Sequence, residues 1–182
     1  MNILDAIEMR RSIRAYSPGA VEKEKLEAVV RAGSLAPVFG HFHMTVIENA
    51  DLLGEINLAT LNMMKHSGDD FLEKRAAQPR YHPLYGAPVM IVLSAPGGND
   101  GNGFNMANVS CAAENMIIQA TALGLGTCFV MGPMISFADK ELAKRAGIPD
   151  DQVPLVGVLL GYPREALQPN PRKASSQVTY VR

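Results

Sequence analysis

Cysteine is scarce in this chain, neither sign of charge dominates, and no apolar run is long enough to cross a bilayer. Each shortage removes a class of protein. Two cysteines, Cys111 and Cys128, form no Cys-x-x-Cys or zinc-ligand spacing, which excludes a disulfide scaffold or zinc ribbon and points to a reduced, cytoplasmic setting. A net charge of −1 offers no basic excess for nucleic acid or an anionic membrane surface. No stretch reaches the roughly 18 consecutive apolar residues of a membrane helix. The acidic opening Met-Asn-Ile-Leu-Asp-Ala-Ile-Glu does not resemble a secretory signal.

The common catalytic signatures are missing too. A dinucleotide fingerprint needs Gly-x-Gly-x-x-Gly after a strand and before a helix. After Gly101-Asn-Gly103 the third position is Met106, and after Gly124-Leu-Gly126 it is Phe129. There is no P-loop, no Gly-x-Ser-x-Gly elbow and no His-Glu-x-x-His helix. His41 and His43 flank Phe42 and share a side if that stretch is extended, but His66 and His82 lie in other segments, so no metal site is expected.

What is present is 182 residues, 47% hydrophobic, enough for a single domain over 1–182 with a real core. Ile3, Leu4 and Ile7 suggest a short opening helix. Leu26, Val29, Val30 and Gly33 recur at helical spacing, in a helix starting near Glu22 and ending before Pro37. Met44 to Ile47 reads as a strand, and residues 50–78 as one or two helices broken near Ser67-Gly68. Pro88 to Ser94 is an apolar run of the kind buried on both faces of a sheet. The clearest helix runs from about Asn105 to Leu123, with Gly124 and Gly126 expected to stop it. Thr127 to Met131 and Val153 to Leu160 complete the strands, and Phe137 to Ala146 reads as one helix. This alternation predicts helices packed on a sheet. In the tail, Val178, Tyr180 and Val181 alternate imperfectly, as a strand seeking something to pair with does.

Arg10, Arg11 and Arg14 place three guanidinium groups within five residues, with Ser12 between them. Two readings stand: an anion such as phosphate gathers them, or they complement the C-terminal end of a helix dipole. Arg172 and Lys173 form a second basic pair, either solvated or closing on the same anion.

Six segments, in order, resemble the FMN-dependent nitroreductase family. They are Arg10-Arg-Ser-Ile-Arg-Ala-Tyr16, Ala32-Gly-Ser-Leu-Ala-Pro37, Gly86-Ala-Pro-Val-Met-Ile-Val92, the helix from Asn115 ending in Gly124-Leu-Gly126, Ala146-Gly-Ile-Pro149, and Pro154 to Pro163. The resemblance implies an α+β sandwich, with a central mixed sheet flanked by helices and a C-terminal tail exchanged between the subunits of a homodimer. It implies two FMN sites built from both subunits. Arg10, Arg11 and Ser12 would hold the phosphate and ribityl chain, with Arg172 and Lys173 at the phosphate. Arg14 would lie at the N1–C2=O edge as an electrostatic stabiliser, and the Met131 and Gly132 backbone would face N5 and O4. The family's flavin loop runs Ala-Pro-Ser-x-x-Asn-x-Gln-Pro-Trp; here Ala36-Pro37-Val38-Phe39-Gly40-His41-Phe42-His43-Met44 replaces it. Pro37, Val38 and His41 are therefore the expected loop contacts, and Asn62 a further one. The implied activity is hydride transfer from NADH or NADPH to nitro, quinone or similar acceptors by a ping-pong cycle, with no side-chain base. The alternatives are a specialised flavin enzyme with one substrate, or a flavin-binding sensor or store whose site is covered by Phe39, Phe42 or residues 62–85.

Overall fold

The computed structural model describes residues 1–97, 103–169 and 177–182. Four strands form one sheet: β1 (His43–Ile47), β2 (Val89–Pro96), β3 (Gly126–Val130) and β4 (Gln152–Gly161), in the order β1-β2-β4-β3. Every neighbouring pair is antiparallel. The parallel contribution expected of a mixed sheet is confined to one bridge, between Ser12 and Thr127. The central strand β2 is buried along seven of its eight residues. It carries the uninterrupted apolar run because both faces of the sheet are covered.

One face is covered by α2 (Lys23–Ser34) and α5 (Phe104–Ala122). Val89, Ile91 and Leu93 of β2 meet Val109, Ala113, Met116 and Ile117 of α5 there. Gly33 lets α2 press onto α5, since a Cβ at that position would lie 2.8 Å from Met116 Cγ. Met90, Val92 and Leu159 face the other way. They pack beneath α3 (Ala50–Lys65), α6 (Lys140–Arg145), a 3₁₀ turn (Gly132–Ala138) and the irregular segment around Leu84. The period-2 alternation along β2 thus separates two cores.

Local chemistry sets the boundaries. Asn49 caps α3 by accepting from the Leu52 N–H at 2.9 Å, and Asp69 caps α4 (Asp70–Ala76) through the Phe71 and Leu72 N–H groups. Asp139 does the same for Glu141 and Leu142, which splits the single helix expected over Phe137 to Ala146. Gly124 leaves α5 with φ +77, as expected of a glycine stop. Gly126 serves a close approach instead, opening β3 where a Cβ would come within 2.8 Å of Ile13 Cγ1.

The opening helix α1 (Ile3–Met9) forms with an Asn2/Asp5 capping box, but its apolar side chains do not enter this core. Ala6 is buried, whereas Ile3, Leu4 and Ile7 are exposed. Val178, Tyr180 and Val181 are likewise exposed, and residues 177–182 contain no strand. No described helix is long and apolar enough to cross a membrane.

Candidate functional site

After α1 the chain runs extended along the β3 edge. The Ile13 N–H donates to the Thr127 carbonyl at 2.7 Å, and buried Ile13 and Tyr16 anchor the segment between exposed residues. Tyr16 also bridges to Pro163, and the Arg164 N–H donates to the Ala15 carbonyl at 3.0 Å. Arg11, Ser12 and Arg14 consequently line one cleft of about 290 Å³ with Pro163, Arg164 and Glu165. Arg164 is a further cation that sequence reading missed. Its only signal was its position directly after Tyr162-Pro163, where β4 returns to the basic segment.

The members of the basic motif separate by environment. Arg10 is engaged elsewhere, its Nε 3.0 Å from Glu114 Oε1 on α5. Among the described residues, no carboxylate lies within ion-pair distance of Arg11, Arg14 or Arg164. Three cations against one carboxylate, Glu165, leave the cleft net positive, which favours an anionic ligand. Arg14 instead faces the Tyr85 ring, 5.9 Å from its centroid. Behind this segment, burial pushes the Cys128 thiol up, against the opposing pull of Arg14 and Ser12. That disfavours the thiolate a nucleophile requires. The buried Tyr16 hydroxyl has no hydrogen-bond partner; its ionisation is pushed far above the usual phenol range, first by burial and then by Cys128 and Tyr85.

The substituted loop lies at the other side of the sheet, leading into β1. Buried Asn108 of α5 holds it from both ends of one residue: Oδ1 accepts the Phe39 N–H at 3.1 Å, and Nδ2 donates to the Phe39 carbonyl. The Phe39 ring points outward and meets Phe104 at 5.5 Å between centroids. Pro37 and His41 are exposed and Val38 is half-buried. β1 and β3 are opposite edges, three strand spacings or about 14 Å apart. Within one chain, Pro37, Val38 and His41 therefore lie away from the Arg11–Arg14 cleft.

Met131 and Gly132 follow the far end of β3, and both are exposed. A Cβ on Gly132 would touch nothing within 4 Å, so this backbone is open to approach. Asn62 lines a different cavity, of about 450 Å³, with Met63, His66, Ser67, Leu72 and Ile135. The same 3₁₀ turn holds both Gly132 and Ile135, so this cavity borders the Met131–Gly132 corner rather than the basic cleft. Arg172 and Lys173 lie outside the described residues. No cluster of three metal-ligating side chains occurs among the described residues.

The fold is shared with known proteins. A crystal structure of a nitroreductase with bound FMN from Bacteroides fragilis matches the whole chain over its own whole length, with a TM-score of 0.88 and 28% identity. A second nitroreductase with bound FMN, from Desulfitobacterium hafniense, matches with full coverage of both chains at a TM-score of 0.87 and 25% identity. An Archaeoglobus fulgidus protein, provisionally named NADH dehydrogenase/NAD(P)H nitroreductase, is 28% identical over 168 residues, covering 89% of this chain and 86% of its own. The profile described as Nitroreductase family matches residues 7–162, which takes in the basic segment, both sheet faces and all four strands, and the chain belongs to that family.

Proposed function

We propose that this chain is an FMN-dependent oxidoreductase that passes hydride from a nicotinamide dinucleotide to nitro, quinone or similar small acceptors in a ping-pong cycle. The observation that carries the reading is the cleft of Arg11, Ser12, Arg14 and Arg164, whose three cations face a single carboxylate, Glu165, and form no ion pair among the described residues. A phosphate with a polar chain fits that donor set, because guanidinium forks and a hydroxyl match phosphate and ribityl oxygens. Bound FMN would supply the hydride chemistry itself. Arg11, Ser12 and Arg164 would fix the cofactor. Arg14, permanently charged and steadied against Tyr85, would stabilise negative charge on the reduced ring. The open Met131–Gly132 backbone would approach the ring edge, and no side chain needs to act as a base.

Two copies of the chain would form the working enzyme. The loop 36–42 and the basic cleft sit on opposite sheet edges, so a site using both takes one from each copy. The exposed apolar side chains of Ile3, Leu4 and Ile7, and those of Val178, Tyr180 and Val181 in the tail, are the surfaces such an exchange would cover. A cytoplasmic location agrees with two free cysteines.

The deciding experiment is an absorbance spectrum of the purified protein, followed by anaerobic addition of NADH or NADPH. The expected result is a flavin band that one of them bleaches. Failure to bind FMN on reconstitution overturns the reading. Bound flavin that neither nucleotide bleaches replaces it with a binding protein without this turnover.

A further inference from the structure

The segment that follows α3 carries an array whose outer members, Arg75 and Tyr81, belong neither to the proposed cofactor contacts nor to the core clusters. The Arg14 guanidinium lies 5.9 Å from the Tyr85 ring centroid, Tyr85 and Tyr81 meet edge-on at 6.3 Å and 75°, and the Arg75 guanidinium lies 4.7 Å from the Tyr81 ring centroid. Cation, ring, ring and cation follow one another across three separate stretches of chain. Arg75, Tyr81 and Tyr85 are all half-buried, so part of the array remains accessible.

The acids nearest in sequence do not neutralise it. Asp69 caps α4, Asp70 pairs with Lys74 at 3.4 Å, and Glu73 Oε1 accepts the Gly68 N–H at 3.0 Å. Among the described residues, Arg14, Arg75 and Arg80 have no carboxylate within ion-pair distance. Arg75 instead directs its charge to the two tyrosines, Tyr81 and Tyr85. The connecting loop is also held in an unfavourable backbone state, with Arg80 at φ +65 and Tyr85 at φ +52. Non-glycine residues persist there where the surroundings over-determine them, which is commonest at ligand sites.

We propose that Arg75, with Tyr81 and Tyr85, recognises the acceptor and selects planar aromatic acceptors that carry an anionic group such as a carboxylate. This rests on the flavin-reductase reading above. The tyrosine rings offer a surface on which a planar acceptor packs. The guanidinium has five N–H donors, more than its contacts with Tyr81 and Tyr85 use, and supplies the rest to the carboxylate. Arg14 is committed to the cofactor, which leaves Arg75, with Arg80 nearby in the chain, for the acceptor.

The test compares 4-nitrobenzoate with 4-nitrobenzamide, which share ring and nitro group and differ in charge, using the FMN-loaded protein and its nicotinamide donor. The expected result is a kcat/KM about tenfold higher for the benzoate, the size of one charge-assisted hydrogen bond, with the preference shrinking as salt is raised. Arg75→Gln should remove most of that preference, and Arg75→Lys should keep part of it. Equal kcat/KM for the two acceptors in the unaltered protein overturns the proposal, as does a preference that Arg75→Gln leaves intact. Should Arg75→Gln fail to retain flavin, the unaltered protein still decides, because a preference insensitive to salt also overturns it. Failure of the underlying reading looks different: no flavin bleaching and no turnover of either compound.

Discussion

The two faces of the sheet use the same strands for opposite purposes. Towards α2 and α5, two regular helices meet the strands through small residues and one close glycine contact, and the core cluster contains nothing ionisable. On the other face lie the 3₁₀ turn, two left-handed non-glycine residues, the buried Tyr16 hydroxyl and Asn57, whose Oδ1 accepts the Leu84 N–H at 3.2 Å. The regular layer is where apolar burial is most complete, and it contributes stability. The irregular layer contains buried polar groups, and it borders the basic cleft and the Arg75 array. Close packing excludes the polar backbone that a site needs, so most recognition groups fall to the irregular face, the loop held by Asn108 of α5 being the exception.

That division is testable by substitution, starting where the cost is greatest. Met116→Ala on the regular face should lose about 2–5 kcal/mol of stability, because Met116 is fully buried. Leu84→Ala on the irregular face should cost a similar amount and also alter flavin affinity, since Leu84 anchors the loop that carries Tyr81 and Tyr85. Chemical denaturation with flavin titration measures both. Equal disturbance of flavin binding by the two substitutions would break the division.

Gly161→Ala should cost about 1–3 kcal/mol by overpacking. Its Cβ would fall 2.6 Å from Pro88 Cδ and 2.9 Å from Tyr16 Cδ1, and a proline ring has little room to give. A melting temperature that stays unchanged would show that this corner is looser than its distances imply.

Tyr16→Phe should be neutral or stabilising by about 1 kcal/mol in the protein without cofactor, since it removes a buried hydroxyl that has no hydrogen-bond partner. Comparing melting temperatures with and without FMN sharpens this. A gain without FMN that becomes a loss with it would assign the hydroxyl to the cofactor.

The smallest effect concerns pH. Desolvation lowers the pKa of His82 from its usual value. The folded protein thus binds this proton less readily than the unfolded chain does. The histidine's contribution is present above about pH 6.5, the unfolded value, and is lost as pH falls from there towards the lowered folded value. A slight decline of melting temperature over that interval should vanish in His82→Gln.

The regular face was legible in the sequence almost residue by residue. Leu26, Val29 and Gly33 at helical spacing, and the run from Val89 onward, record burial directly, because periodicity is a consequence of which side is covered. Legibility fell where one residue answers to a distant one. Asp139 divides a helix that hydrophobic spacing alone joins together. Residues 62–85 showed no clear period because the contacts of Arg75, Tyr81 and Tyr85 are rings and guanidinium groups from separate stretches. Ile3, Leu4 and Ile7 showed the expected helix but not its exposure, since spacing says that a face is apolar and not what covers it.

By itself the sequence determined the α+β class, the apolar strands at the centre, and the family, because order of motifs and hydrophobic pattern are written along the chain. It grouped Arg10, Arg11 and Arg14, and nothing in their spacing could separate them by partner. Only the tertiary structure did that: Glu114 engages Arg10, Tyr85 faces Arg14, and β4 returns Arg164 to the same cleft. A side chain's charge is fixed by its identity, whereas its role depends on which counter-charge the fold brings within reach.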